Sequence, residues 1–108
     1  MLYWVYILRC NNNALYTGYT NDLQKRYQEH LDGKGAKYTR SFKPILIEVA
    51  WQVSDKSAAL RIEAHIKKLS KQDKLHLISE PQRLNDAFGT AANILLYSLC
   101  PTQQPRSS

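Results

Sequence analysis

Apolar positions along this chain change their period several times, and each change marks an element. Leu2 to Arg9 is rich in β-branched and aromatic residues and reads as a strand. Its period of two puts Trp4, Tyr6 and Leu8 on one face and Tyr3, Val5 and Ile7 on the other. Asn11, Asn12 and Asn13 tolerate left-handed backbone and predict a turn, so residues 15–20 return as the second strand of a hairpin. The period then lengthens to four at Leu23, Tyr27 and Leu31, the stripe of an amphipathic helix. Thr20 or Asn21 is expected to cap it, with Asp22 in its first turn and a stop at Gly33. Residues 33–43 are expected to be a loop.

Alternation resumes at Ile45, Ile47, Val49, Trp51 and Val53, predicting a third strand with one wholly apolar face. Ser54 or Asp55 is placed to cap a second helix running through Lys68, striped by Ala59, Ile62, Ile66 and Leu69. Ser70 is expected to cap a third helix ending near Pro81. The order β-β-α-β-α-α predicts an α+β domain: a small three-stranded antiparallel sheet flanked by helices. The domain is expected to span residues 1–80. Residues 81–100 read as a C-terminal extension able to hold a short helix, and 101–108 as a disordered tail of Pro, Gln, Ser and Thr.

The charge changes this picture. The chain has 108 residues, enough for one domain, and a formal net charge of +6. Residues 1–79 hold 13 Lys and Arg against 7 Asp and Glu, so the whole excess belongs to the folded part and favours a polyanionic partner. The two cysteines, Cys10 and Cys100, have no metal-type spacing and read as reduced thiols, a disulfide between them being the alternative. The start lacks a signal-peptide pattern, and the longest apolar stretch, Ala91 to Cys100, is half a membrane span. The expectation is a cytoplasmic protein with no membrane partner.

Five polar residues stand out against the apolar pattern: Tyr6, Tyr16, Arg26, His30 and Glu63. Arg26 and His30 lie ~60° and ~20° to one side of Leu23 on the first helix, at the margin of the buried stripe, where a group can reach solvent. Glu63 is marginal on its own helix, ~80° from the stripe centre. Groups at such margins can converge on a cleft. Phosphodiester hydrolysis needs an oriented nucleophile, a cation on the phosphate and relief of charge on the leaving oxygen. A site with two metal ions needs several acids. With seven acids before residue 80 and no Asp-x-Asp or Asp-x-Glu pair, one Mg²⁺ or Mn²⁺ on Glu63 is the arrangement left for a metal-dependent nuclease. Which group would take the proton from water stays open: a phenol of pKa ~10 needs cations to become a base, whereas a histidine suits proton transfer unaided.

These residues fall in an ordered series. Trp4-Val5-Tyr6 and Tyr16-Thr17-Gly18 precede a helix segment, Thr20 to His30, with its arginine and histidine in place. Then come the stretches from Gly33 to Arg40 and from Lys56 to Glu63. The series, over roughly residues 2–79, resembles the GIY-YIG nuclease superfamily and is most similar to its short stand-alone YhbQ-like group. The resemblance implies that Glu63 ligates the metal and Arg26 stabilises the pentacovalent phosphate. It implies that Tyr6 and Tyr16 line the site and that His30 assists proton transfer. Trp4 stands where the family's first tripeptide has glycine. The implied activity is metal-dependent DNA cleavage, in repair or recombination.

No element able to read base edges is visible, so recognition is expected to follow backbone or structure, not sequence. Lys34, Lys37, Arg40 and Lys43 could meet phosphates on one side of a cleft, and Lys67, Lys68, Lys71 and Lys74 on the other. The alternatives are a DNA- or RNA-binding module that cleaves little without a partner, and an adaptor that docks a protein through Ile94-Leu95-Leu96-Tyr97 of the extension.

Overall fold

The chain turns back on itself at Asn13, whose φ of 67° lies in the left-handed region. Backbone bonds from Cys10 N to Ala14 O and from Asn13 N to Cys10 O, both 2.9 Å, close that turn. The computed structural model describes residues 2–88 and 95–96. The turn joins β1 (Tyr3–Cys10) to β2 (Leu15–Thr20), followed by α1 (Leu23–Leu31), α2 (Lys37–Ser41), β3 (Pro44–Val53) and α3 (Lys56–Lys67). Then come α4 (Lys71–Ser79), α5 (Arg83–Phe88) and the two-residue β4 (Leu95–Leu96). The strands lie in the order β2-β1-β3-β4, every neighbouring pair antiparallel.

Strand β1 is central, and the alternation read from its sequence holds in three dimensions. Val5 and Ile7 join Val49, Trp51, Val53, Ile62, Ile66, Leu77 and Leu84 in one core, against α3, α4 and α5. Tyr6 and Leu8 point the other way, into a second core with Leu23, Tyr27, Ile47 and Ala50 beneath α1. Helices on both faces explain why four consecutive residues of β1, Val5 to Leu8, are all buried.

Several expectations need correction. Asp22, not Thr20 or Asn21, caps α1, its carboxylate accepting from Lys25 N at 3.2 Å. Asp55 and Ser70 cap α3 and α4 by the same kind of bond. The expected loop 33–43 contains α2, a five-residue helix below the length that is stable alone; contacts of Thr39, described below, hold it. Strand β3 does not keep one apolar face. Its register with β1 slips at Glu48, where Ile7 pairs with Val49 but Leu8 pairs with Ile47. This β-bulge throws Ile47 into the opposite core from Val49, and a second slip leaves Ile45 exposed. The three main strands form the expected antiparallel sheet, and the two-residue β4 joins its edge by pairing Leu95 and Leu96 with Gln52 and Trp51.

The first part of the C-terminal extension packs on the domain. Leu84 of α5 is buried in the larger core, and Trp51 Nε1 donates to Pro81 O at 3.0 Å. Leu95 and Leu96, the centre of the suggested docking segment, pair their backbone with the free edge of β3; Ile94 and Tyr97 lie outside the described residues. Cys10 is a free buried thiol whose pKa burial raises, and Cys100 and the expected tail, 101–108, also lie outside the described residues. Among the described residues no helix is long and apolar enough to cross a membrane.

Candidate active site

Tyr6 is the hub of the five singled-out residues. It sits on β1 directly opposite Gly18 of β2, and its ring lies across that glycine. A Cβ at position 18 would stand 2.5 Å from Tyr6 Oη and 2.7 Å from Cζ, closer than atoms can pack. The glycine of the second tripeptide is therefore a steric requirement of the tyrosine in the first. Tyr6 Oη reaches His30 Nε2 on α1 at 2.8 Å.

The other imidazole nitrogen fixes the direction of that bond. His30 Nδ1 is 2.7 Å from Thr39 Oγ1 on α2, and the Thr39 hydroxyl donates its proton to Ala36 O at 2.9 Å. Thr39 therefore accepts from His30 Nδ1–H, which leaves Nε2 as the acceptor of the Tyr6 O–H. The result is a buried chain of donors, Tyr6 to His30 to Thr39 to the Ala36 carbonyl. His30 and Thr39 are both fully enclosed. Gly35 lies flat against the imidazole, and any side chain there would collide with His30 Nδ1. The helical position of His30 predicts a margin open to solvent; α2 and its flanking glycine cover it instead. Neither Thr39 nor Gly35 was singled out from sequence, because nothing in one dimension says that residues 35–39 fold over residue 30.

Arg26 lies one turn before His30 and stays half-exposed, as its helical position predicts. Its guanidinium is held by Glu29 at 3.1 Å, and its charge acts on Tyr6. A cleft of about 360 Å³ opens beside it, lined by Tyr3, Tyr19, Thr20, Asn21 and Lys56. Tyr16, half-buried on β2, sets its ring edge-on to His30 at 5.4 Å between centroids. Glu63 comes from α3, which packs along β1 and β2; its side chain is 15% exposed and pairs with Lys67 at 3.6 Å.

Electrostatics ties these groups together. Burial raises the Tyr6 pKa well above its ordinary value, with Tyr16 and Glu63 adding and Arg26 opposing. Burial likewise raises Tyr16, again opposed by Arg26 and reinforced by Glu63. The Arg26 and Glu63 charges thus both act on both phenols. His30 is pushed down to about 4, by burial first and then by the Arg26 charge, and is neutral at physiological pH. Burial works against the Arg26 cation, but Glu29 and Tyr6 outweigh it and its pKa is raised.

Among the described residues no three His, Cys, Asp or Glu side chains cluster as a protein-made metal cage. The donors suit a hydrated ion instead. One carboxylate, Glu63, exerts its charge on both phenols, and Mg²⁺ holds most of its waters while binding through one or two carboxylates and substrate phosphate.

The basic residues divide. Lys34, Lys37, Arg40 and Lys43 are exposed on and around α2. In the second set Lys67 pairs with Glu63 and Lys71 donates to Asn13 O at 2.8 Å, while burial and the Lys67 charge lower the Lys74 pKa. Lys68 is exposed.

Residues 2–76 match the GIY-YIG catalytic domain family. The chain is 46% identical over 81 residues to UPF0213 protein FN1575 of Fusobacterium nucleatum, covering 75% of this chain and 81% of that protein. It is 46% identical over 78 residues to UPF0213 protein YhbQ of Salmonella typhimurium, covering 72% and 78%. A solution NMR structure of UPF0213 protein BH0048 from Bacillus halodurans is 37% identical over 82% of this chain and 98% of that one, with a TM-score of 0.46. With a family match over residues 2–76 and curated relatives 46% identical over about three quarters of its length, the chain belongs to the GIY-YIG family, in its UPF0213 (YhbQ) group.

Proposed function

We propose that the chain is a Mg²⁺- or Mn²⁺-dependent DNA endonuclease that recognises backbone and structure, not sequence, and serves repair or recombination. The observation that carries this reading is the common influence of Arg26 and Glu63 on both tyrosine hydroxyls, with Tyr6 bonded to His30 behind them. The partly exposed groups, Arg26, Tyr16 and Glu63, are those a phosphodiester meets. Arg26, pinned by Glu29, is preorganised to stabilise the charge that develops on phosphate. Tyr16 lines the path of the attacking water. Glu63 holds the metal, which when bound supplies Lewis-acid charge neutralisation.

Tyr6 and His30 form the inner layer. At pH 7, protonating an imidazole of pKa about 4 costs ~4 kcal/mol, whereas ionising a phenol raised above its ordinary ~10 costs more. A proton taken up at Tyr6 Oη is therefore accommodated by passing the phenol's own proton to His30 Nε2, which leaves a neutral phenol and an imidazolium, and Tyr6 need not ionise beforehand. Lys34, Lys37, Arg40, Lys43 and Lys68 supply sequence-independent phosphate contacts, with Lys67 joining them where it is not paired with Glu63.

The test is cleavage of labelled duplex, single-stranded, flap and four-way-junction DNA with Mg²⁺ or Mn²⁺. Glu63→Ala is expected to abolish cutting while the circular dichroism spectrum stays that of the parent. Arg26→Ala is expected to cost on the order of 10²–10³ in rate. Cutting that persists in Glu63→Ala would overturn the metal role, and an Arg26→Ala variant as fast as the parent would overturn the role of Arg26.

A further inference from the structure

Two large aromatic residues stand half out of the surface beside the cleft. Tyr38 and Phe42, four apart on and just after α2, are each 39% exposed, and their rings meet at 5.2 Å between centroids. Tyr38 lies nearly parallel to Tyr16, with 13° between the planes and 6.3 Å between centroids. Its hydroxyl accepts from Asn12 Nδ2 of the hairpin turn at 2.9 Å, which fixes the ring with a face available. An aromatic row therefore leads outward from the candidate active site through Tyr16 to Tyr38 and Phe42.

Folding does not require this exposure. Neither Tyr38 nor Phe42 belongs to either hydrophobic core, and α2 is anchored through buried Thr39. The surroundings are cationic: Lys34, Lys37, Arg40 and Lys43 are all exposed, and no acidic residue occurs between Gly33 and Ile47. Flat aromatic faces interleaved with cations are what a single-stranded nucleic acid demands, since every base offers a π-face and every linkage a negative charge. A protein partner would have to leave four cations without carboxylates from this chain.

We propose that Tyr38 and Phe42 form a stacking site for an unpaired nucleobase adjoining the phosphate held at Arg26 and Tyr16. The ligand class is a nucleic acid with at least one unstacked base: a single strand, flap or loop. Proximity to the scissile phosphate rests on the nuclease reading; base stacking itself does not.

The experiment measures binding in EDTA by fluorescence anisotropy, so that cleavage plays no part. The probes are a labelled single strand of about 15 nucleotides, the same strand with abasic sites throughout, and a blunt duplex. Tyr38→Ala and Phe42→Ala are each expected to weaken binding of the base-bearing strand roughly 5- to 150-fold, while the abasic strand changes less than about 2-fold. Tyr38→Leu and Phe42→Leu keep apolar bulk without a π-face, and are expected to lose affinity in the same direction. Equal losses on both strands, retained affinity in the leucine variants, or a parent that binds both strands alike would each overturn the proposal. So would unchanged binding with an altered oligomeric state in sedimentation, which would make the patch a protein contact. A parent that shows the expected base dependence but cuts nothing when metal is restored would sink the nuclease reading and leave the stacking site standing.

Discussion

Replacing Thr39 by valine keeps shape and removes one hydroxyl, and that hydroxyl satisfies two buried groups at once. In the parent it accepts from His30 Nδ1–H at 2.7 Å and donates to Ala36 O at 2.9 Å, in a site from which water is excluded. Valine leaves both without a partner. An orphaned buried donor or acceptor costs ~1–3 kcal/mol, and two neighbouring ones do not simply add, so a loss of about 2–3 kcal/mol is expected. The imidazole could escape part of this by moving its proton to Nε2. The Tyr6 bond would then reverse, the phenol would accept instead of donate, and its own proton would need another acceptor. The assay is urea unfolding followed by tryptophan fluorescence, in which 2–3 kcal/mol lowers the midpoint by ~1 M or more. Thr39→Ser keeps the hydroxyl and loses one methyl group, so it should fall within about 1 kcal/mol of the parent. If Thr39→Val unfolds within 0.5 kcal/mol of the parent (a threshold of about the noise between independent surface substitutions), the assigned tautomer and the chain of donors are wrong.

Two further predictions follow from buried groups. His30 binds its proton near pH 4 in the folded chain and near 6.5 in the unfolded chain, so the unfolded state holds more protons between those values. Its contribution is therefore fully present above pH 6.5 and is lost as pH falls towards 4, by up to about 3 kcal/mol, and in the urea midpoint measured against pH this drop should shrink in His30→Gln; an equal drop in both would refute it. The hydroxyl of Tyr27 is buried with no hydrogen-bond partner, so Tyr27→Phe should be neutral or stabilise by about 1 kcal/mol. A Tyr27→Phe midpoint more than ~1 kcal/mol below the parent would mean that a bound water or other partner satisfies the hydroxyl.

Local chemistry reads well in one dimension because its causes lie within a few residues. The alternation of β1, the turn at Asn11 to Asn13, the caps Asp55 and Ser70 and the stripes of α1 and α3 each depend on neighbours along the chain, and each formed as the pattern required. Of the five polar residues, Tyr6 serves the apolar pattern as well, as a member of the second core. What one dimension does not carry is register and cover. The slip at Glu48 that divides Ile47 from Val49 depends on how β3 lies against β1, and β4 on a strand edge left open. Likewise, His30 is enclosed only because residues 35–41 fold back over it, where Gly35 makes room, Thr39 takes the proton on Nδ1, and Tyr38 turns outward beside Tyr16. Sequence by itself determined the strands β1 to β3, the helices α1, α3 and α4, and which residue types are available for chemistry. Tertiary structure decided which of those residues are sealed from water and which stay open to it, because desolvation depends on atoms that are distant in the chain and adjacent only in space.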